Sequence, residues 1–168
     1  TPEPTPDLTG LALDPLTGVY IDEEAANRRP VAIVINNLNK ALPQSGISQA
    51  DIMYEVLAEG GITRMIGIFK DFDAEKIGPV RSTRHYFLDF ALDHDAVFAH
   101  HGGSPQGYNS ISSLRINNLD GMALEGKIFF RDQGRKNTPG MYEHSSYTSA
   151  EGLLAEIVDK DFRSELNE

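Results

Sequence analysis

The chain of 168 residues contains no cysteine. Disulfides, thiolate metal sites and thiol nucleophiles are therefore excluded, while the compartment is left open. No apolar run approaches the ~18 residues that a membrane-spanning helix requires. Residue 1 opens no signal-peptide pattern, so a targeting segment is expected either to have been removed or never to have existed. Positive charge is also scarce, with 15 Lys and Arg against 25 Asp and Glu and a net charge of −10. A chain this acidic is a poor nonspecific ligand for nucleic acid or anionic lipid, both of which reward a broad positive surface.

What is present is a soluble, globular composition, 40% hydrophobic and 24% charged, in a length that fills one domain with a core of its own. The charge is unevenly placed. Residues 1–59 carry three basic and nine acidic side chains and residues 137–168 carry two and seven, whereas residues 60–136 carry ten and nine and hold most of the arginines. A local basic pocket is therefore compatible with the acidic whole.

The organisation reads as three parts. Residues 1–7, TPEPTPD, alternate proline with small or acidic residues and form an extended spacer. Residues 8–29 are rich in turn signals such as Asp14-Pro15 and Thr17-Gly18 and read as an arm laid over the domain surface. The domain proper runs over 30–168. VAIVI (31–35) is a β-branched apolar run, too short for a helix, and reads as a buried strand ending at Asn36-Asn37. Over 51–69 a helix capped by Ser48 competes with a hairpin turning at Glu59-Gly60-Gly61. The hairpin is favoured, and it would set Glu55 opposite Arg64. AVFAHH (96–101) is a second buried strand and KIFFRD (127–132) a third. Helices are expected at 83–93 with Ser82 as N-cap, at 105–114 opening on Pro105, and at 149–158. In the last, Thr148 and Glu151 form a capping box and Leu153, Leu154 and Ile157 are buried. RINNLDG (115–121) reads as a loop. Strands alternating with helices give an α/β class, or α+β, as a layered sandwich with a mixed β-sheet and flanking helices.

Three loops leave strands at their carboxyl ends: Asn36-Asn37, His100 to Ser104, and Arg131 to Arg135. Ligands in α/β sheets gather at that edge. GPVRSTRHYF (78–87) places two arginines where a helix is expected to open, although a cation in a first turn is disfavoured by about 0.3–1 kcal/mol. A bound anion resolves the conflict. Arg81 and Arg84 would then hold a carboxylate or phosphate beside the helix N-terminus, and Gly102 and Gly103 would let a second backbone segment approach while Ser104 adds a hydroxyl. This requires that the guanidinium groups lack an internal counter-charge; the competing account pairs them with Asp89, Glu55 or another carboxylate of the chain.

The histidines suggest a metal, but His100 and His101 are adjacent on a strand and face opposite ways, and His94 with Asp95 lies across that strand, so no metal is expected. Ser104 with His100 or His144 lacks the G-x-S-x-G elbow of a serine nucleophile. Glu55 and Glu59 fall on one side of a strand and would form a carboxylate pair, or stand as solvated acids.

The blocks RRPVAIVINN, PQSGISQADIMYEVLAEGGITR, KIGPVRSTRHYF, DHDAVFAHHGGSPQ and FFRDQGRK…YTS resemble, in order and spacing, the N-terminal domain of the YerB-like lipoproteins of bacteria, a family without an established biochemical role. The likeness spans about residues 8–158. It implies export, a lipidated cysteine upstream of the spacer as the only membrane attachment, and a smaller second domain after residue 168. The family pattern falls on Asn37, Glu55, Glu59, Gly60, Gly61, Thr63, Arg64, Gly78, Pro79, Arg81, Ser82, Arg84, His100, Gly102, Gly103, Ser104 and Arg131. Two positions depart from it: Asn36 stands where an aspartate is expected, and Ser145 where an asparagine is usual. A fainter likeness, of an arginine-bearing strand, a Pro-x-Arg strand end and a strand running into Gly-Gly, is to the LytR-CpsA-Psr phosphotransferases.

The expected function is that of a cell-envelope domain binding an anionic wall ligand or docking an envelope protein, with no nucleic-acid partner. The expected ligand-binding residues are Arg64, Arg81, Ser82, Arg84, His100, Gly102, Gly103, Ser104, Arg131, Glu55, Glu59 and Asn37. Two alternatives are an envelope phosphoryl or glycosyl transferase or hydrolase, in which arginines would neutralise a transferring phosphoryl group, and a purely structural domain. No cofactor is indicated.

Overall fold

The computed structural model describes residues 7–167. The spacer expected over 1–7 lies, apart from Asp7, outside them. The arm that follows is folded. Strands β1 (Leu11–Leu13) and β2 (Tyr20–Asp22) pair antiparallel, and α1 (Glu23–Asn27) is capped by the Asp22 carboxylate. Asp14 forms the turn between the strands by accepting the N–H groups of Leu16 and Thr17. Its carboxylate is fully buried with Oδ1 3.9 Å from Lys70 Nζ, and Ala25 and Ala26 are buried too, so the arm is pinned to the body.

The body is a five-stranded sheet in the order β4-β5-β3-β6-β7, made of β3 (Val31–Asn36), β4 (Ile52–Leu57), β5 (Thr63–Phe69), β6 (Val97–His100) and β7 (Asn118–Asp120). The pairs β4/β5 and β5/β3 are antiparallel; β3/β6 and β6/β7 are parallel. Every residue of β3 is buried, because helices cover both faces of this central strand. Val31, Ile33 and Ile35 face Leu153 and Ile157 of α6 (Ala150–Asp159), and Ala32 and Val34 face Leu88 and Ala91 of α2 (Leu88–Asp93) and Ile111 of α3 (Pro105–Ser113). Each Val, Leu or Ile among them contributes about 1.5–3 kcal/mol on burial. The result is the layered α/β sandwich with a mixed sheet.

The hairpin over 51–69 is formed, turning through a 3₁₀ segment at Glu59–Gly61. Its register pairs Glu55 with Met65 and Val56 with Arg64, so Glu55 and Arg64 point to opposite faces and do not meet across it. Other expectations shift as well. The helix placed at 83–93 begins later, as a 3₁₀ turn at His85–Phe87 leading into α2, and Ser82 caps nothing. Asn118–Asp120, within the expected loop RINNLDG, is the edge strand β7. KIFFRD forms only β8 (Phe129–Arg131), which pairs with β9 (Ser146–Thr148) in a separate ribbon. Because Thr148 belongs to β9, Ser149 is the residue that caps α6, by accepting the Gly152 N–H, and Leu154 is half-buried rather than buried. Two one-turn helices, α4 (Gly121–Leu124) and α5 (Gln133–Lys136), complete the chain.

One segment decides the geometry of the sheet's carboxyl edge. β3 and β6 pair only through Val31/Val97, Ala32/Phe98 and Ile33/Ala99. Beyond that point residues 78–83 lie between them as a strap. Arg81 N–H donates to the Val34 carbonyl at 2.9 Å and the Arg81 carbonyl accepts from His101 N–H at 3.0 Å, while Val80 N–H donates to Ser146 of β9 and Thr83 N–H to Gly102. The strap joins the second ribbon to the main sheet.

Gly103 is required for this closure. An added Cβ would fall 2.8 Å from Thr83 Cγ2 in the strap. Gly103→Ala is expected to lower stability by about 1–3 kcal/mol through overpacking, read from urea denaturation. A loss below about 0.5 kcal/mol would show that the strap yields freely.

Candidate functional site

The strap, the loop after β6 and the segment from Arg131 to Ser146, with Tyr108 of α3 and Met122 of α4, line a cavity of about 410 Å³ at the carboxyl edge of the parallel strands. Of the residues singled out from the sequence, Arg81, Ser82, Gly102, Gly103 and Arg131 line it. The others are close but differently engaged. His100 is fully buried beneath the loop, with Nδ1–H donating to the Gly102 carbonyl at 2.8 Å and Nε2 accepting from Asn118 at 3.1 Å. Ser104 caps α3 by accepting the Gly107 N–H at 3.0 Å. Glu55 accepts from Asn37 Nδ2 and Thr63 Oγ1 in the hairpin, outside the cavity.

The arginines divide by counter-charge. Arg81 Nη2 donates to the Glu143 carboxylate at 2.9 Å, and Arg131 donates through Nε and Nη2 to Glu125 at 3.0 and 2.8 Å. Arg84 grips Glu59 through Nε and Nη2. The requirement that Arg81 and Arg84 lack an internal counter-charge is thus corrected: the competing account holds for both, with Glu143 and Glu59 as the acids rather than Asp89 or Glu55, and Arg131 is likewise paired with Glu125. Proximity in space supplies those acids; Glu143 lies 62 residues from Arg81 in the chain. Nor do Glu55 and Glu59 act as a pair, since each is held by its own partners.

Arg64 is the exception. It is 5% exposed, donates through Nη1 to the Ser82 carbonyl at the back of the strap, and has no carboxylate within 4 Å among the described residues. Burial, together with the neighbouring Arg84 and Arg81, pushes its pKa down to about 10. It therefore remains charged at neutral pH, a positive charge behind the strap that Glu59, itself forked to Arg84, offsets only from beyond 4 Å.

On the opposite wall the hydrogen bonds assign protons. A guanidinium can only donate, so His101 Nε2, 3.1 Å from Arg131 Nη2, is an acceptor. The ring proton then sits on Nδ1 and is donated to Ser146 Oγ at 2.7 Å. Ser146 consequently keeps its own hydroxyl proton for the cavity it lines, as a donor rather than a nucleophile facing a base. Burial and then Arg131 hold the His101 pKa below its usual range. Tyr108 donates to Asp120 at 2.7 Å, and burial followed by that bond pushes its pKa up to about 12. Tyr108, Met122 and Tyr142 supply an exposed apolar rim.

The sequence reading passed over Ser146, Glu143, Tyr108, Met122 and Tyr142. The first two lie in the EHSSYTS stretch whose neighbour Ser145 stood out as a departure, so a signal existed there. Tyr108 and Met122 belong to no pattern that spacing could reveal.

Over residues 16–163 the chain matches the family described as "Protein of unknown function (DUF3048) N-terminal domain". The Bacillus subtilis (strain 168) protein named "Putative lipoprotein YerB" is 39% identical over 158 residues, covering 94% of this chain and 46% of that protein. The crystal structure of YerB from Bacillus subtilis matches with a TM-score of 0.83 at 39% identity, covering 91% of this chain and 51% of the other. The chain spans about half the length of the relative it matches. Among the described residues no helix is long and apolar enough to cross a membrane.

Burial comes first among the causes that hold His100, His101 and His144 below the usual histidine pKa of 6.5. The unfolded chain takes up these protons near pH 6.5 and the folded chain resists them, so stability is full above pH 6.5 and falls on acidification toward the lower folded values. Each proton contributes up to about 1.4 kcal/mol per pH unit. Urea unfolding between pH 7.5 and 5 should show this loss, with a slope about one proton shallower in His101→Asn. A flat wild-type profile would mean that the rings protonate in place.

Proposed function

The chain belongs to the family of the DUF3048 N-terminal domain, and on that footing we propose that it binds an anionic ligand, bearing phosphate or carboxylate, in the cleft beneath the strap. The observation that carries this reading is Arg64, a buried guanidinium with no carboxylate within 4 Å among the described residues, standing behind the strap and flanked by Arg81 and Arg84 in a chain of net charge −10. Acid side chains are abundant, yet none within 4 Å neutralises it. A ligand acid at Arg81 would meet the combined field of the cluster, the Ser146 hydroxyl and the forked donors of the guanidinium itself.

The internal acids do not prevent this. The Glu143 side chain is 70% exposed, and an exposed ion pair is worth about 0–1 kcal/mol, so an external acid can displace it at small cost. The ligand proposed is a component of the bacterial cell envelope, in keeping with the lipoprotein name of the Bacillus subtilis relative. A transferase or hydrolase role draws less support, because Glu55 and Glu59 are engaged in the hairpin and outside the cavity.

Thermal unfolding in phosphate or sulfate, against chloride at matched ionic strength, tests the reading. At an anion concentration ten times Kd, binding adds about 1.4 kcal/mol and should raise Tm by about 3–6 °C. Arg81→Ala should abolish that rise while changing Tm in chloride little. A wild-type Tm indifferent to every anion would overturn the proposal.

A further inference from the structure

The Arg81–Glu143 pair is a partition. Glu143 lines the cleft on one side, and on the other it lines a second cavity of about 570 Å³ walled by Asn37, Lys40, Thr63 and His144. That second cavity has a cation of its own, Lys40, beside the Glu143 carboxylate. Lys70, Lys76, Lys127 and Lys160 each have a carboxylate within 4 Å, whereas Lys40, like Lys136 outside this cavity, has none among the described residues. His144 supplies a directed donor. Asn36 Oδ1 is fixed by the Leu38 N–H at 3.1 Å, so the Asn36 amide nitrogen faces His144 Nδ1 at 2.8 Å and donates to it. The ring proton is then on Nε2. His144 is 5% exposed, and Nε2 has no acceptor among the described residues. Since Lys70 Nζ is the one wholly buried side-chain nitrogen or oxygen left without a partner among the described residues, Nε2 is not wholly buried, and His144 lines this cavity.

Two cavities with separate cationic donors therefore adjoin across one arginine, and the carboxylate between them belongs to an exposed side chain on a single-turn 3₁₀ segment, Tyr142–His144. We propose that they are neighbouring subsites for one ligand carrying two acid groups on a short link. One acid takes Arg81 and the Ser146 hydroxyl, the other takes Lys40 and His144 Nε2–H, and Glu143 is the internal acid that the ligand displaces. This rests on the anion-binding reading and narrows it to diacids. Joining two weak contacts makes the second intramolecular, so a linked diacid outbinds its monoacid counterpart without new kinds of contact.

The test is calorimetric titration of the 168-residue chain, at constant ionic strength, with orthophosphate and tripolyphosphate and with acetate and glutarate. Tripolyphosphate should bind at least tenfold more tightly than orthophosphate. Lys40→Ala should remove that advantage while leaving orthophosphate within about twofold, and Lys160→Ala, on the far helix, should change neither. Glu143→Gln should tighten both several-fold. An advantage of glutarate over acetate would identify linked carboxylates as ligands, and an advantage confined to tripolyphosphate would identify linked phosphates. If orthophosphate binds through Arg81 but tripolyphosphate binds no better, or if Lys40→Ala weakens both equally, the two-subsite arrangement is wrong while single-anion binding stands. If none of the four binds, both fall.

Discussion

The wedge between β3 and β6 governs this molecule. Two parallel strands that pair for three residues and then separate leave backbone donors and acceptors that must be satisfied. The strap at 78–83 satisfies them, taking the Val34 carbonyl on one side and the His101 N–H on the other. Because the bonds are made by the backbone of Arg81, the position of that residue is independent of its side chain, which is left to project from the sheet edge. The same wedge lies where the chain turns from one half of the sheet to the other, with β4 and β5 beyond β3 and β7 beyond β6. Open α/β sheets place ligands at such a crevice.

Around this frame, charge is distributed with unequal commitment. Arg131 is saturated, its donors shared among Glu125, His101, the Tyr142 carbonyl and Ser145, and it serves chiefly to fix the His101 tautomer. Arg84 holds Glu59 in a fork, and the donated hydrogen bonds push that carboxyl down to about 2. Arg81 is lightly held by an exposed acid, and Arg64 has no carboxylate within 4 Å among the described residues. The lightly held Arg81 stands between two firmly forked arginines, Arg131 at the ribbon of β8 and β9 and Arg84 at the hairpin turn, and the cavity opens beside it.

Much of the scaffold was legible in the sequence. VAIVI could only be a buried strand, the Glu59-Gly60-Gly61 turn announced a hairpin, and Pro105 after a polar residue opened a helix, because each signal is local and agrees with its surroundings. The errors share a cause. Asn118-Leu119-Asp120 has one buried residue of three, too short a pattern to mark a strand until β6 is beside it. Ser82 has the chemistry of a cap, yet its hydroxyl donates to the His101 carbonyl because the strap, not a helix, claims that stretch. Glu55 and Arg64 missed each other by one residue of register, which in a strand reverses the face.

The residues by themselves determined the class of fold, the acidic whole with a basic centre, and the identity of most of the polar groups collected at the carboxyl edge, since periodicity, turn chemistry and composition are properties of short stretches. Only the tertiary structure decided which guanidinium has a counter-charge and which does not, which histidine faces the cleft, and that a serine near residue 146 completes it. Those outcomes depend on electrostatics and hydrogen bonds that act over a few ångströms, between groups that the chain brings together only after 62 residues in one case and 45 in another.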